Sequence, residues 1–359
     1  MIRDLSSRAF SVFLIVVLML CASAVQSVNA SELQLLDIAQ VIKSSESVTT
    51  DVYPNSDFVV LDEYYKVEYN ADGTYRILDD EYIKVLTEKG KRRYQSVSQY
   101  YTLPYGTAAF EKLEVIKPDG EVIAVDIASN SRVMVNPGQM GANIYNPNSK
   151  ILKAGIPGLE IGDVLHIISS DDIVKARVPN TWSDNSVFEH TAPIKHMILD
   201  IDGPKNLPLV NIRLRDEIDG TVIYTNPPCG NGRKRYLWEV KDVPRMFPEP
   251  KMPSLYTVVQ RLLVSTIPDW ETISRWYWNL SKLHLDAVTP EMKSKVAELT
   301  EGITDREEKI RRIFMFVSKQ IRYMGITTET TAPGYEPHDV SLTFGNRYGV
   351  CRDKAALLA

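Results

Sequence analysis

A cysteine at the start of a helical pattern is the residue of this sequence best suited to covalent chemistry. Cys351 follows a glycine-containing turn at residues 347–350 and precedes an apolar run at residues 355–359. A thiol in the first turn of a helix faces backbone N–H groups without partners and the positive end of the helix dipole. Both favour the thiolate, the nucleophilic form of cysteine. The pattern predicts a nucleophile at Cys351, and a buried, unreactive cysteine is the alternative.

The residues that follow this cysteine set its charge and its packing. Arg352 and Lys354 favour the thiolate through their positive charge, whereas Asp353 opposes it but can cap the helix and pair locally. Ala355 and Leu358 fall on the same helix face as the cysteine, four and seven residues later. We expect this face to pack closely against a neighbouring sheet and to hold the sulfur rigidly.

Three short stretches around the cysteine form a motif: IRY at residues 321–323, YEPH at residues 335–338, and RYGVCRDKA at residues 347–355. With the helix of Trp270, they resemble the nucleophile segment of the bacterial transglutaminase-like superfamily. The region before them resembles the β-rich domain of unknown function that often precedes such a core. One position departs from the motif, because Val350 stands where the family commonly has aspartate.

The resemblance implies a particular chemistry. In this family the cysteine attacks an amide carbonyl, so a peptide is hydrolysed or an acyl group is transferred through a cysteine thioester. The family's catalytic histidine and aspartate follow the cysteine, which places them beyond residue 359. Because the sequence stops within an apolar helical pattern, we expect a fragment that forms adducts but does not turn over an amide. A protein or peptide substrate is the expected partner, and no cofactor is implied.

Four further residues are candidates for lining the site. His338 precedes the cysteine and is expected to be structural or site-lining, with a role as the general base as the alternative. The backbone N–H of Cys351 is the first candidate donor to an oxyanion, and Tyr323 and Asn346 are candidates for the second. Tyr348 belongs to the motif itself.

Composition and charge exclude several classes of protein. The chain has 359 residues, of which 44% are hydrophobic and 24% are charged, as in ordinary globular proteins. Its net charge is −5 and it lacks a long basic tract, which argues against nucleic acid as a partner.

The start of the chain has the pattern of a secretory signal. Arg3 and Arg8 precede an apolar run at residues 9–22, and small and polar residues continue to Ala30. We predict a signal peptide at residues 1–30, with an uncleaved anchor as the alternative, although the apolar run is short for a membrane span. The mature protein is expected to be extracytoplasmic, in the periplasm or secreted, without a stable membrane span.

The cysteines bear on both redox chemistry and metals. Cleavage would remove Cys21 and leave Cys229 and Cys351 in an oxidising compartment. A disulfide between them would abolish the nucleophile and is the alternative, although Cys229 lies in a predicted loop of a different domain. Paired cysteine or histidine spacings typical of zinc and the spaced ligands of a calcium loop are both missing, so no metal is expected.

Residues 55–255 have the alternation and the turn signals of strands. Asp72-Gly73 and Asp119-Gly120 predict hairpin turns, and residues 210–214 and 236–240 alternate between apolar and polar side chains. We predict an antiparallel β-sandwich domain at residues 31–255, closed by a proline-rich boundary at residues 244–253.

The pattern then becomes helical, after a last strand predicted at residues 256–265. Asp269 is expected to cap a helix that carries Trp270, Pro290 to open a second, and Thr304 with Glu307 to form the capping box of a third, which carries Ile310. The apolar faces of these helices are predicted to be core in a complete domain and to be exposed in this sequence, which stops after the cysteine helix.

The predicted fold class is α+β, with residues 256–359 as the start of a transglutaminase-like domain that ends after the cysteine helix. A protein with this order of domains is expected to be an enzyme acting on amides. The alternative is a non-catalytic extracytoplasmic β-sandwich protein, used for binding or as a scaffold, in which the transglutaminase-like part is degenerate. Reactivity of the thiol would separate the two.

Overall fold

The first predicted hairpin lies at the centre of the fold. In the computed structural model, strands β1 (Phe58–Tyr69) and β2 (Tyr75–Val85) pair antiparallel. Between them Gly73 has a φ of 87°, a value that a residue with a Cβ rarely adopts. The structure describes residues 35–230, 232–326 and 334–359. The predicted signal peptide at residues 1–30 lies outside these ranges.

Most strands come before the long helices, as predicted, although short helices also lie before and between them and two-residue strands follow the long helices. The further strands are β3 (Ser96–Thr102), β4 (Gly106–Ile116), β5 (Val122–Ala124), β6 (Ser131–Val135), β7 (Ile144–Tyr145), β8 (Ser149–Gly155), β9 (Val164–Ile173), β10 (Ser183–Val187), β11 (Ile194–Pro204), β12 (Asn211–Arg215), β13 (Val222–Thr225), β14 (Arg233–Val243), β15 (Arg261–Ser265), β16 (Arg322–Tyr323), β17 (Gly325–Ile326) and β18 (Tyr348–Gly349). The α-helices are α1 (Ile38–Ser45), α2 (Glu88–Tyr94), α3 (Ile127–Asn130), α4 (Trp270–Leu285), α5 (Pro290–Thr300), α6 (Arg306–Gln320), α7 (Val340–Asn346) and α8 (Cys351–Leu358).

One large sheet dominates the described part of the chain. Its strand order is β13-β14-β11-β1-β2-β9-β4-β5, and its neighbours pair antiparallel except for β1 with β11. Because successive side chains of a strand point to opposite faces, Ile83 of β2 packs into a core on one side and Tyr82 into a core on the other. The fold is therefore α+β, with a large and mostly antiparallel sheet.

Two smaller sheets pack against the large one. The sheet β10-β15-β12 shares a core with it, in which Val264 lies among the same cluster as Trp238. The sheet β3-β8-β6 shares another, in which Leu152 joins the cluster of Ile167. Apolar side chains on both layers exclude water between them, which is the main stabilising contribution to such a layered fold.

The strand predicted at residues 256–265 is shorter than expected. Leu255–Thr257 form a 3-10 turn, and only β15 is extended. Tyr256 is exposed, so the apolar run at this point is not buried as a strand. Since β15 pairs with β10 and β12, a segment after residue 255 completes one of the covering sheets. Leu36–Ala359 form one compact unit.

The predicted helix starts are correct to within one residue. The Asp269 carboxylate accepts the N–H of Thr272 at 2.8 Å, as expected for the cap of α4. Helix α6, however, is capped by Asp305 and not by Thr304, because the Asp305 carboxylate accepts the N–H of Glu308 at 2.8 Å. Thr304 and Asp305 could each have capped this helix, and the Asp305 carboxylate does so.

Apolar side chains of α4 and α6 are exposed within the described residues, as predicted for this sequence. Trp270 is 88% exposed, and Ile310 and Phe314 are 50% and 52% exposed. Amphipathic spacing shows that one face of a helix is apolar, but it does not supply the element that covers this face. No helix within the described ranges is both long and apolar enough to cross a lipid bilayer.

Candidate functional site

The cysteine of the motif begins a helix, as predicted. Strand β18 runs beside β16 in a two-stranded parallel pair, and the chain then turns at Val350 into α8, whose first residue is Cys351. The thiol is exposed and free, and Cys229 is also free, so the two do not form a disulfide. The geometry leaves the sulfur open to an electrophile from solvent.

Tyr323 is the predicted site residue that reaches the cysteine itself. Its interaction with the Cys351 thiol, together with burial, raises the pKa of the phenol. The phenol therefore stays protonated at neutral pH, near the sulfur.

Asp353 holds the start of the cysteine helix. Its carboxylate is buried and accepts the backbone N–H of Val350 at 2.9 Å and that of His338 at 3.0 Å. Nδ1 of the His338 ring lies 3.1 Å from the same carboxylate. Burial alone would raise the pKa of Asp353, but these hydrogen bonds outweigh it and hold the pKa below its usual range. The predicted capping role of this residue is what the structure shows.

Gly349 permits this close packing. A Cβ at position 349 would lie 2.7 Å from the Cβ of Asp353 and 3.1 Å from Cγ2 of Thr343. A larger residue would push the Asp353 side chain away from the N–H groups that it binds. The glycine of the motif is therefore explained by a close approach of α8 and α7.

The two cations of the motif point to backbone carbonyl groups. Arg352 donates through one of its terminal nitrogens to the carbonyl of Gly334. The Lys354 ammonium donates to the carbonyl of Ile321 at 2.7 Å, just beyond the end of α6. Both residues tie α8 to neighbouring segments. Their effect on the thiolate stays a prediction.

The expected packing of the cysteine face is wrong. Ala355 and Leu358 are exposed, as is Cys351, whereas the buried residues of α8 are Asp353 and Ala356. The helix packs through this other face, where Ala356 lies in a small cluster of buried apolar side chains from other helices. The reason is that a short helix can bury only one side, and the capping aspartate fixes which side it is.

The other three predicted lining residues meet at one small cavity. His338, Asn346 and Tyr348 border a space of about 60 Å³ together with Val350 and Asp353. Their separation along the chain gave no direct reason to expect this. Among the described residues, the side-chain partner of His338 is Asp353.

A histidine that the sequence analysis did not single out anchors the loop before α7. Nδ1 of His284, in α4, lies 2.7 Å from the Asp339 carboxylate, and its Nε2 lies 2.8 Å from that of Glu336. Burial would lower the pKa of His284, but the two carboxylates outweigh it and raise the pKa. In the sequence, the acidic residues that flank His338 in the motif, Glu336 and Asp339, could have indicated a partner for His284. Within the described ranges, no three acidic, histidine or cysteine side chains are arranged to hold a metal ion.

Replacing Asp353 with alanine is expected to loosen the cysteine helix. The change leaves the N–H groups of Val350 and His338 without their acceptor, at an expected cost of about 2–3 kcal/mol of local stability. Hydrogen exchange should accelerate at these two amides. Asp269→Ala, which removes an exposed helix cap elsewhere, is the control. Unchanged exchange at Val350 would contradict the capping role.

One protein-family model and several solved structures match parts of this chain. Residues 71–247 match the family model described as "Domain of Unknown Function with solved-structure structure (DUF3857)". The fold is similar to a crystal structure from Parabacteroides distasonis described as a "putative protease", with a TM-score of 0.68 and 18% identity. The match covers 84% of this chain and 57% of that one, so this chain spans a little over half of its length.

Other solved structures are much less similar. An M1 zinc metallopeptidase from Deinococcus radiodurans gives a TM-score of 0.29 at 10% identity, covering 58% of this chain and 42% of that one. A CBM3a-L domain from Clostridium thermocellum gives 0.21 at 15% identity, covering 33% of this chain and 69% of that one. Neither carries an argument about this protein, and no curated protein matched the sequence. Residues 71–247 are therefore similar to the DUF3857 family model.

Proposed function

We propose that this chain supplies the cysteine nucleophile of a transglutaminase-like enzyme that cleaves or exchanges amide bonds in peptides. The observation that supports the proposal is the exposed, free Cys351 at the first turn of α8. The similarity in fold to a protein described as a "putative protease" is compatible with a peptidase-like role.

The proposed chemistry proceeds through an acyl-enzyme. The Cys351 thiolate adds to the acyl carbonyl, the bond to the leaving group breaks, and the leaving group departs with its electron pair and takes up a proton. The acyl group remains on the sulfur as a thioester. Water or an amine then attacks the thioester and the sulfur leaves as the thiolate, which gives hydrolysis in the first case and acyl transfer in the second.

The surrounding residues have distinct parts in this scheme. The backbone N–H of Cys351 stabilises the developing oxyanion. His338, Asn346 and Tyr348 line the cavity beside the nucleophile. The general base is expected to follow the cysteine helix in the sequence, beyond residue 359. We further propose that the reaction takes place outside the cytoplasm, after removal of residues 1–30.

Acylation by a reactive ester tests the nucleophile without requiring turnover of an amide. With p-nitrophenyl acetate, Cys351 is expected to accept the acetyl group and to release one p-nitrophenolate per chain in a burst. Peptide mass spectrometry should place the acetyl group on the sulfur. Cys351→Ser should abolish the burst, and Cys229→Ser should retain it.

Two results would count against this assignment. Acetylation of both cysteines at equal rates would make Cys351 an ordinary surface thiol and favour the non-catalytic scaffold. Loss of the burst in His338→Ala, with the fold retained by circular dichroism, would instead make His338 the base that activates the thiol. The two outcomes are distinguishable because the first is independent of position 338.

A further inference from the structure

Gly325 joins the β-rich part of the chain to the segment beside the cysteine helix. Strand β17 begins at Gly325 and runs parallel to β7, with Gly325 opposite Ile144. The Gly325 N–H donates to the carbonyl of Asn143 at 3.0 Å. Ile144 belongs to the stretch that matches the DUF3857 family model. Backbone pairing therefore ties that stretch directly to the segment that contains Tyr323.

The residues just before Gly325 pair with the strand that leads into the cysteine helix. Strand β16 runs parallel to β18, and the Met324 N–H donates to the carbonyl of Gly349 at 3.2 Å. Residues 322–325 thus connect β7 on one side with β18 on the other. Hydrogen-bonded backbone segments of this kind can carry a shift from one element to the next.

Gly325 also packs against the residue that precedes the cysteine. It is buried, and a Cβ at position 325 would lie 2.7 Å from Cγ1 of Val350, closer than two such carbon atoms approach without a shift. Val350 is β-branched and has few rotamers with which to move aside. This valine is the position that departs from the transglutaminase-like motif. Its side chain fits against Gly325 because position 325 has no Cβ.

Val350 in turn fixes the start of α8. It is the N-cap residue of this helix, and its N–H donates to the Asp353 carboxylate at 2.9 Å. Cys351 is the next residue, so a movement of Val350 away from β17 reorients both the thiol and the Cys351 N–H. Misplacing a reacting group by about 1 Å can slow a reaction by about 100-fold.

We propose that the contact between Gly325 and Val350, held by the pairing of Gly325 with β7, positions Cys351 for acyl transfer. The β-rich part of the chain thereby takes part in the reaction. Gly325 and Val350 are positioning residues, since each acts on the thiol through the start of α8. The role in acyl transfer rests on the proposed function of Cys351, whereas the coupling between β7 and α8 does not.

The rate of acetylation in Gly325→Ala tests the proposal. The added Cβ must displace Val350, so the burst with p-nitrophenyl acetate is expected to slow about tenfold. Alkylation of Cys351 by iodoacetamide should slow much less, because this reaction forms no oxyanion and does not use the Cys351 N–H. A purely structural role would not separate the two rates.

A compensating substitution locates the effect. Val350→Ala in the Gly325→Ala chain removes the methyl group that the new Cβ meets, and it should restore most of the burst rate. Val350→Ala alone weakens the contact without a clash and should slow the burst about threefold. Gly345→Ala is the control, since Gly345 lies in α7 and a Cβ there would meet no described atom within 4 Å. It should leave both rates unchanged.

Hydrogen exchange measures the same coupling without any acyl transfer. Gly325→Ala should accelerate exchange at the Val350 amide, whose N–H is bound by Asp353. The added Val350→Ala substitution should slow exchange at position 350 again. Gly345→Ala should leave it unchanged.

The proposal is overturned if Gly325→Ala and Gly345→Ala give the same burst rate, if the double variant stays as slow as Gly325→Ala, or if acetylation and alkylation slow equally. Should Gly325→Ala not fold, an unchanged burst in Val350→Ala overturns it. An unmodified chain that is not acetylated, with the expected exchange pattern, would reject the proposed function and leave the coupling of β7 to α8. A full burst in the unmodified chain and in every variant would reject the positioning contact and leave the nucleophile.

Discussion

Iodoacetamide at about pH 7 is expected to alkylate Cys351 at least about tenfold faster than it alkylates Cys229. Cys351 is exposed at the positive end of α8. Cys229 is half-buried, and its thiol donates to a carboxylate oxygen of Asp202 at 3.6 Å, so the sulfur is less accessible to the reagent. A time course of peptide masses measures both rates in the same sample, so differences in reagent concentration cancel.

The unfolded chain provides the reference for this comparison. In concentrated urea the two thiols should react at similar rates, because neither the helix nor the Asp202 contact persists. Cys351→Ser should leave only the slow reaction in the native protein, and Cys229→Ser only the fast one. Similar native rates for the two cysteines would remove the main physical support for a nucleophile at Cys351.

Replacing His166 with leucine is expected to have the largest effect on stability. His166 is fully buried, with Nε2 2.9 Å from the Asp80 carboxylate and Nδ1 2.8 Å from that of Glu114. The substitution leaves two acidic groups beside an apolar side chain, and breaking a buried pair in this way costs about 3–5 kcal/mol. It also removes the stacking of the imidazole on Tyr82, whose ring centroid lies 4.0 Å away. Urea unfolding measures the change.

The same histidine should make the stability depend on pH. Burial lowers the pKa of His166, but hydrogen bonds with Asp80 and Glu114 outweigh it, and the pKa is raised above its usual value. A raised pKa means that the folded chain holds this proton more tightly than the unfolded chain. The contribution is therefore complete below about pH 6.5, the ordinary value for histidine, and is lost as the pH rises through the folded-state pKa.

His196 provides a matched control for both measurements. It also lies between two carboxylates, those of Asp62 and Glu239, but its side chain is 26% exposed. Solvent screens its charges, so His196→Leu should cost well under half as much as His166→Leu. If the two substitutions cost the same, or if His166→Leu leaves the pH dependence unchanged, burial of the Asp80–His166–Glu114 group is not the source of the effect.

Much of the fold was accessible from local patterns. Residues within a few positions of one another determine the chain reversal at Gly73, the alternation along β14, and the helix starts at Asp269 and Pro290. Backbone geometry and capping act over such distances. The start of α8 at Cys351 belongs to the same class, since a turn and an aspartate three residues from its cap define it.

These patterns could not predict which apolar helix faces are covered by other elements of the fold. The sequence shows that α4 and α6 each have an apolar side, but their exposure depends on which other elements reach them. The same holds for α8, where the exposed side carries Cys351 and the buried side carries Ala356. Periodicity assigns residues to faces, and only packing decides which face meets water.

The sequence by itself determined that a cysteine begins a helix, that strands precede it, and that tyrosine, histidine and asparagine are available near it in the chain. Only the tertiary structure decided that Tyr323 reaches the thiol and that His338 binds Asp353. The physical reason is range. Capping, turns and alternation are fixed by neighbours in sequence, whereas a contact between residues 15 or 28 positions apart requires the intervening elements to be folded and packed.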